Sequence, residues 1–269
     1  TKFRDEPRSR GGLIRVREFT MKDAYSFSAD QDGLDKIYED MFKAYLMVFN
    51  RAGLGDDIRV VESDTGMMGG SGAHEFMFLI DAGEDTLIEC GGCGYKANRQ
   101  VATHQREKVE ADAPEAIEEV ATPDTTTIED VCRLLDVSAD RTAKAIFHIG
   151  RIEDEDRIVI SVLRDDHELN ETKLTNAIKA TELRPSTEEE IRAIGSEPGY
   201  GSAIGVKADV LIVVDTAIAE GTNFVAGANK DGFHLKNVNS GRDFTPDLVT
   251  DLVAVDAGLH CSHCGTSLP

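Results

Sequence analysis

Residues 1–27 read TKFRDEPRSRGGLIRVREFTMKDAYSF, and the fold assignment starts from this stretch. It opens on Phe3-Arg4-Asp5-Glu6, passes through a turn-rich segment carrying Arg8 and Arg10, and returns as Arg15-Val16-Arg17-Glu18-Phe19. Residues 13–19 alternate apolar and basic side chains, which predicts a strand. An Arg and a Glu two apart on a strand point to one side, so Arg4 and Glu6 can meet one ligand. Ion pairing on a strand surface is the competing reading for Arg15, Arg17 and Glu18.

Outward from there, 269 residues suggest roughly two domains. With 41% hydrophobic and 29% charged residues, neither a disordered polyanion nor a collagen-like repeat fits. No run approaches the roughly 18 apolar residues of a membrane span. The net charge is −21, unevenly spread. Residues 1–22 hold seven basic and three acidic side chains, a net of +4, leaving −25 on the rest. A bulk polyanion repels nucleic acid, so any contact to nucleic acid or nucleotide falls to that basic start, a solvated basic loop being the alternative.

Residues 31–53 carry Leu34, Ile37, Tyr38, Met41, Phe42, Tyr45, Leu46 and Phe49 at helical period, closed by Gly53. A glycine-rich segment, residues 66–72, leads to strand-like residues 76–80 and 86–89. This first block, residues 1–100, reads as antiparallel sheet with one helix packed on it. Residues 101–122 are acidic and pattern-poor, a linker. Residues 123–255 alternate helices and strands, as in an inserted α/β-type domain. Its expected helices are 126–137, 170–180 and 187–194, with a capping-box signal from Thr126 to Glu129. Its expected strands are 144–150, 157–164, 209–215 and 233–238. Residues 256–269 form a return segment, and the overall class is α+β.

Five cysteines occur, four of them in two C-x-x-C-G pairs: Cys90 and Cys93, Cys261 and Cys264. A glycine after the second thiol lets backbone N–H groups turn toward the sulfurs, as a tetrahedral zinc knuckle requires. The pairs bracket the insertion, so one zinc on all four cysteines would pin the strands leading into and out of it; a reduced thiol cluster or disulfides are the alternatives. His263 reads as an exposed bystander, and Cys132, beside Val131 and Leu135, as a core residue.

The string over residues 1–27 resembles motif 2 of class II aminoacyl-tRNA synthetases of the bacterial prolyl type. The resemblance continues through Asp64-Thr65-Gly66 and residues 69–76, GGSGAHEF. It implies that Arg4 binds the ATP α-phosphate and offsets the charge growing there as the prolyl carboxylate attacks. By the same resemblance Glu6 accepts from the adenine amino group and Phe19 stacks on adenine. Arg8 and Arg10 touch the acceptor end of tRNA, while His74 with Gly70 and Ser71 walls the proline pocket.

Residues 123–255 resemble the editing insertion of the same enzymes, related to free-standing deacylases. The matching pieces are Thr142-Ala143-Lys144, residues 164–171 (RDDHELNE), residues 198–202 (PGYGS), and Gly227-Ala228-Asn229 with Gly232 and His234. Lys144 begins an otherwise apolar strand, where an unpaired ammonium is costly; the resemblance gives it the tRNA terminus, and the alternative is a strand-end lysine in solvent. Asp215 and His234 are placed at the pocket, His234 as a size-selecting wall, and the loop from Gly199 donates backbone N–H groups to the scissile carbonyl. The usual Gly-x-x-x-Pro loop ends here in Ala203, which predicts a less preorganised loop. His167 is a further site candidate, or a satisfied loop histidine.

The resemblance implies a cytoplasmic, homodimeric ligase joining proline to its tRNA with ATP and Mg2+, whose insertion hydrolyses mischarged alanyl-tRNA. The chain reads as an internal piece lacking motifs 1 and 3, expected to be inactive in aminoacylation alone. The rival readings are an aminoacyl-tRNA deacylase and a non-catalytic tRNA-binding module.

Overall fold

The computed structural model describes residues 1–66, 70, 72–106, 112–123, 125, 127–207 and 209–269. The chain divides into two units, Thr1–Val61 with His74–Thr86, and Glu62–Ala73 with Leu87–Pro269. Residues 87–100, expected with the first block, thus belong to the second unit.

In the first unit β1 (Lys2–Phe3) pairs antiparallel with β2 (Glu18–Phe19). The strand expected over residues 13–19 shrinks to its last two residues. Gly11 and Gly12, at φ +67° and +66°, turn the chain so that Arg10 bridges Arg15. Leu13 is left 92% exposed, so the alternation there reflects no buried face. The long helix α1 (Gln31–Arg51) forms where its period predicted, and Asp30 caps it by accepting from the Gly33 amide. Its aromatic stripe packs on β4 (Ala73–Phe78): Phe42, Tyr45 and Phe49 lie 5.4, 5.4 and 5.7 Å from the Phe76 ring. No residue of α1 is fully buried. β3 (Ile58–Ser63) lies beside β4.

The second unit begins with the hairpin β5 (Leu87–Glu89) and β6 (Lys96–Asn98). Next come β7 (Glu118–Ala121), α2 (Ile128–Leu135), β8 (Ala143–Ile152), β9 (Glu155–Arg164), α3 (Glu171–Ile178) and β10 (Glu182–Pro185). They are followed by α4 (Glu188–Ala193), β11 (Val210–Asp215), α5 (Thr216–Glu220), β12 (Phe224–Gly227), β13 (Phe233–Val238) and β14 (Leu248–Thr250). A mixed five-stranded sheet runs β10-β8-β9-β11-β14, with β11 parallel to both neighbours. Period-two alternation divides its apolar side chains between two faces. Ile160, Val162, Ile212 and Val214 join Phe224, Ile218 and Val238 on one face. Val159 and Val213 join Leu174, Ile178 and Leu252 on the other.

A second sheet runs β12-β13-β7 and meets the first through a bridge from Thr142 to Val225. β7 falls inside the expected linker: Glu118–Ala121 is an edge strand paired with β13, so the inserted domain starts before residue 123. Thr126 lies outside the described residues; the α2 cap is Thr127, which accepts from the Asp130 amide. A full capping box forms instead at α4, between Thr187 and Glu190. Among the described residues no helix is long and apolar enough to cross a membrane.

Candidate functional site

The second unit holds a cavity of about 330 Å³ lined by Lys144, Asp165, Gly199, Gly201, His234 and the hydroxyl-bearing Thr125, Thr127 and Thr142, with apolar walls from Ile128, Val131, Phe147 and Ala226. β8 delivers Lys144 on its second residue, and the ammonium is anchored by a 3.0 Å bond to the main-chain carbonyl of Asp165. β13 delivers His234, 8% exposed, whose Nδ1 lies 2.6 Å from the Thr122 hydroxyl. The Tyr200 ring meets it edge-on at 5.5 Å. Burial pushes the His234 pKa down from its ordinary value.

Asp215 does not join these residues. Its Oδ1 accepts from the Ala217 amide at 2.9 Å and caps α5, while Oδ2 accepts from Leu252 at 2.9 Å. At 3% exposure, both oxygens are spent on backbone, and the carboxylate lines a different, smaller cavity with His104, His167 and Asp251. His167 lies there too, its ring 5.8 Å from that of His104.

The loop that Ala203 was expected to loosen is held by a residue outside it. Asn229 accepts through Oδ1 from the Ser196 hydroxyl at 2.6 Å and the Ser202 amide at 2.7 Å. Its Nδ2 donates to the Ile204 carbonyl at 2.6 Å, and its own amide to that of Tyr200 at 2.8 Å. Four bonds from one residue tie the loop to the end of β12, and Ala203 itself is buried in the core. Asn229 sits at φ +53°, a conformation asparagine tolerates, and its side-chain amide offers both a donor and an acceptor.

In the first unit a cavity of about 490 Å³ is lined by Arg4, Glu6, Arg10, Arg15 and Phe19, with Glu84 and Asp85 opposite. The Arg4 guanidinium lies 5.5 Å from the centroid of the Phe19 ring. Glu6 accepts from Arg15 Nε at 2.7 Å and from the Arg8 amide at 3.0 Å; those bonds, Arg15 first, hold its carboxyl below the usual range. Arg10 and Arg15 both pair with Glu84. Arg8 does not line the cavity. Nor does His74, whose Nδ1 lies 2.8 Å from the Tyr38 hydroxyl and whose ring packs edge-on to Phe42 at 5.6 Å. Gly70 belongs to the second unit, at φ +132°, and Ser71 lies outside the described residues.

The four paired cysteines converge: their sulfurs all lie within 4.8 Å of one another. Cys90 and Cys264 are 3.5 Å apart, Cys93 and Cys261 3.7 Å. A tetrahedral ion with metal–sulfur bonds of about 2.3 Å sets sulfurs about 3.8 Å apart, so the donor set fits zinc. Gly94 and Gly265 sit at φ +78° and +73°, which only glycine adopts freely. The Gly92 and His263 amides point at Cys90 and Cys261, each at 3.4 Å. The Thr266 hydroxyl and amide hold the Cys264 thiol down to about 6. Cys93, despite the amide of Tyr95, is pushed up to about 12 by burial and the neighbouring thiols. His263 is exposed but packs on Tyr95 with ring centroids 4.4 Å apart. Cys132 is only half-buried.

Three histidines of the second unit, His104, His148 and His234, have pKa values lowered from 6.5, burial being the first cause in each. The unfolded chain therefore binds more protons than the folded one between the lowered values and 6.5. Stability falls as pH drops below about 6.5, by up to about 1.4 kcal/mol per pH unit per histidine. Glu190, lowered from 4.5 to about 2, acts only in a more acid window. Urea midpoints at pH 7.5 and 5.5 should show the loss, and His148→Gln should flatten it. A midpoint that rises on acidification would contradict the assignment.

The model of the tRNA synthetase class II core domain (G, H, P, S and T) matches residues 1–140; that of the aminoacyl-tRNA editing domain matches residues 122–244. The proline–tRNA ligase of Salinispora tropica is 52% identical over 274 residues, covering 100% of this chain and 45% of its own length. That of Dehalococcoides mccartyi is 45% identical over 264 residues, covering 98% of this chain and 45% of its own. That of Moorella thermoacetica is 42% identical over 269 residues, with 99% and 46% covered. The chain thus spans less than half the length of the curated relatives it matches. It belongs to the class II tRNA synthetase core family, and its residues 122–244 are similar to the aminoacyl-tRNA editing domain.

Proposed function

We propose that this chain contributes an ATP-site segment and a hydrolytic editing pocket to a proline–tRNA ligase, and that the pocket clears alanine from the tRNA for proline. The observation that carries the reading is the convergence of Lys144, Gly199 and His234 on one cavity of about 330 Å³.

In the editing step a water attacks the ester carbonyl, and charge grows on the carbonyl oxygen. Gly199 and Gly201 line the cavity, and this reading assigns their N–H groups as the donors to that charge. Neutral His234, held by Thr122, limits the side chain that enters and takes no proton. Lys144, tethered to the carbonyl of Asp165, supplies the cation for the phosphate of the tRNA terminus. Asp215 serves the fold and takes no part.

In the first unit Arg4 meets the ATP phosphates, Phe19 stacks on adenine and Arg10 reaches the acceptor end of tRNA. Glu6 acts through its bond to Arg15 as well as toward the adenine amine. Mg2+ entering with ATP would neutralise phosphate charge. A zinc ion on Cys90, Cys93, Cys261 and Cys264 would be structural. Proline, its tRNA, a second copy of the chain and a cytoplasmic location complete the reading.

The test is hydrolysis of alanyl-tRNA and prolyl-tRNA by the chain and by Lys144→Ala. The alanyl ester should be cleaved at least tenfold faster than the prolyl ester, and the variant should lose about a hundredfold. Equal rates on both esters, or full activity without the lysine, would overturn the reading.

A further inference from the structure

The 330 Å³ cavity carries one ammonium and one carboxylate among its described lining residues, Lys144 and Asp165. The two are not simply spent on each other. Lys144 bonds to the main-chain carbonyl of Asp165 at 3.0 Å, which leaves the Asp165 carboxyl outside that anchor. The neighbouring acid, Asp166, is taken up by a bidentate pair with Arg164. Burial raises the Asp165 pKa, and the Thr142 hydroxyl and the Lys144 charge lower it only in part. A half-buried carboxylate with incomplete compensation favours an incoming cation.

An aminoacyl ester at the end of a nucleic acid presents two opposite charges a few bonds apart: phosphate on the nucleotide, and an α-ammonium beside the scissile carbonyl. We propose that Asp165 binds the α-ammonium of the aminoacyl ester and so makes the pocket specific for esters with a free amine. The proposal rests on the editing reading. Lys144 and Asp165, lining one cavity, then offer opposite charges to a substrate that is anionic at one end and cationic at the other. The ammonium docked on Asp165 places the adjacent carbonyl by the amides of Gly199 and Gly201. Because the lysine is tethered by backbone, Asp165→Asn removes the charge and leaves the tether.

The experiment compares alanyl-tRNA with N-acetyl-alanyl-tRNA, each rate divided by its uncatalysed rate, for the chain and for Asp165→Asn. The chain should prefer the free amine by about tenfold to a hundredfold in kcat/KM, and in Asp165→Asn the preference should fall toward one. Asp165→Glu, which restores the charge, should recover part of it. Equal corrected rates for the unaltered chain, or an undiminished preference in Asp165→Asn, would overturn the proposal while the editing reading stands. No hydrolysis of either ester would remove both. The comparison on the unaltered chain needs no variant to fold.

Discussion

Removing the metal from the four-cysteine knuckle, or replacing Cys261 by Ser, should cost the chain several kcal/mol and disorder the segments around residues 87–102 and 255–268 together. Cys93 and Cys261 are 168 residues apart in sequence, so an ion held by the four thiols would close a very long loop whose ends have only a small core of their own. That core is Ile88, Tyr95, Ala97, Ala102, Val255 and Leu268 around the buried Cys90 and Cys261, too little apolar surface to hold both segments without help. Structural zinc in small knuckles is worth about 10–16 kcal/mol at neutral pH, part of which is spent ordering the ligand segments. The four sulfurs already lie within 4.8 Å of one another, so little rearrangement of the ligands is needed. Metal analysis of protein purified without added zinc should give about one equivalent per chain, and a strong chelator should lower the melting midpoint. A chain that holds no metal and melts unchanged in chelator would exclude the ion.

How much of this was legible depended on whether a residue's partner was near it in sequence. Helix α1 was readable because its stripe repeats every three to four residues and its cap, Asp30, adjoins it. β9 and β11 were readable because each carries a short, nearly continuous run of valines, isoleucines and leucines, the mark of a strand covered on both faces. Residues 13–19 alternate as well, but the pattern is carried by exposed side chains after a Gly-Gly turn, and periodicity cannot tell a buried face from an unburied one. β7 was invisible for the opposite reason: Glu118 and Glu119 are ordinary on an edge strand, and the partner that makes them a strand, β13, is more than a hundred residues away. Asp215 shows the same limit at the site. A carboxylate ending a buried strand reads as a pocket acid, and only the Leu252 amide, 37 residues on, shows it to be a brace. Lys144 was legible because it begins a largely apolar strand, a conflict that needs a reason; His234 shares its strand with Lys236 and Asn237, so only the family resemblance pointed to it. Asn229 had no such conflict, and its four bonds are visible only once the loop and β12 are brought together.

That junction predicts the second large effect, for Gly227→Ala. Gly227 is the last residue of β12 and lines the Lys144 cavity. A Cβ there would lie 2.2 Å from the Tyr200 carbonyl oxygen, 2.4 Å from its carbon and 2.6 Å from the Gly201 oxygen. These are backbone atoms, so no rotamer change relieves the clash; the strand or the loop must shift. The strand is fixed by its pairing with His234 across the sheet, so the loop gives way. Displacing it breaks the bond from Asn229 to Tyr200 and moves Gly199 and Gly201 off the carbonyl they serve. Overpacking of this kind costs about 3 kcal/mol or more, and misplacing preorganised donors costs about a hundredfold in rate. Gly205→Ala is the matched control: it sits at φ +66° with nothing within 4 Å of its Cβ, so it carries only the left-handed strain of about 1–2 kcal/mol. Urea midpoints and alanyl-tRNA hydrolysis measured on both variants separate the two effects. If Gly227→Ala loses no more stability or activity than Gly205→Ala, the loop is not held against β12, and the donors assigned to Gly199 and Gly201 lose their fixed position.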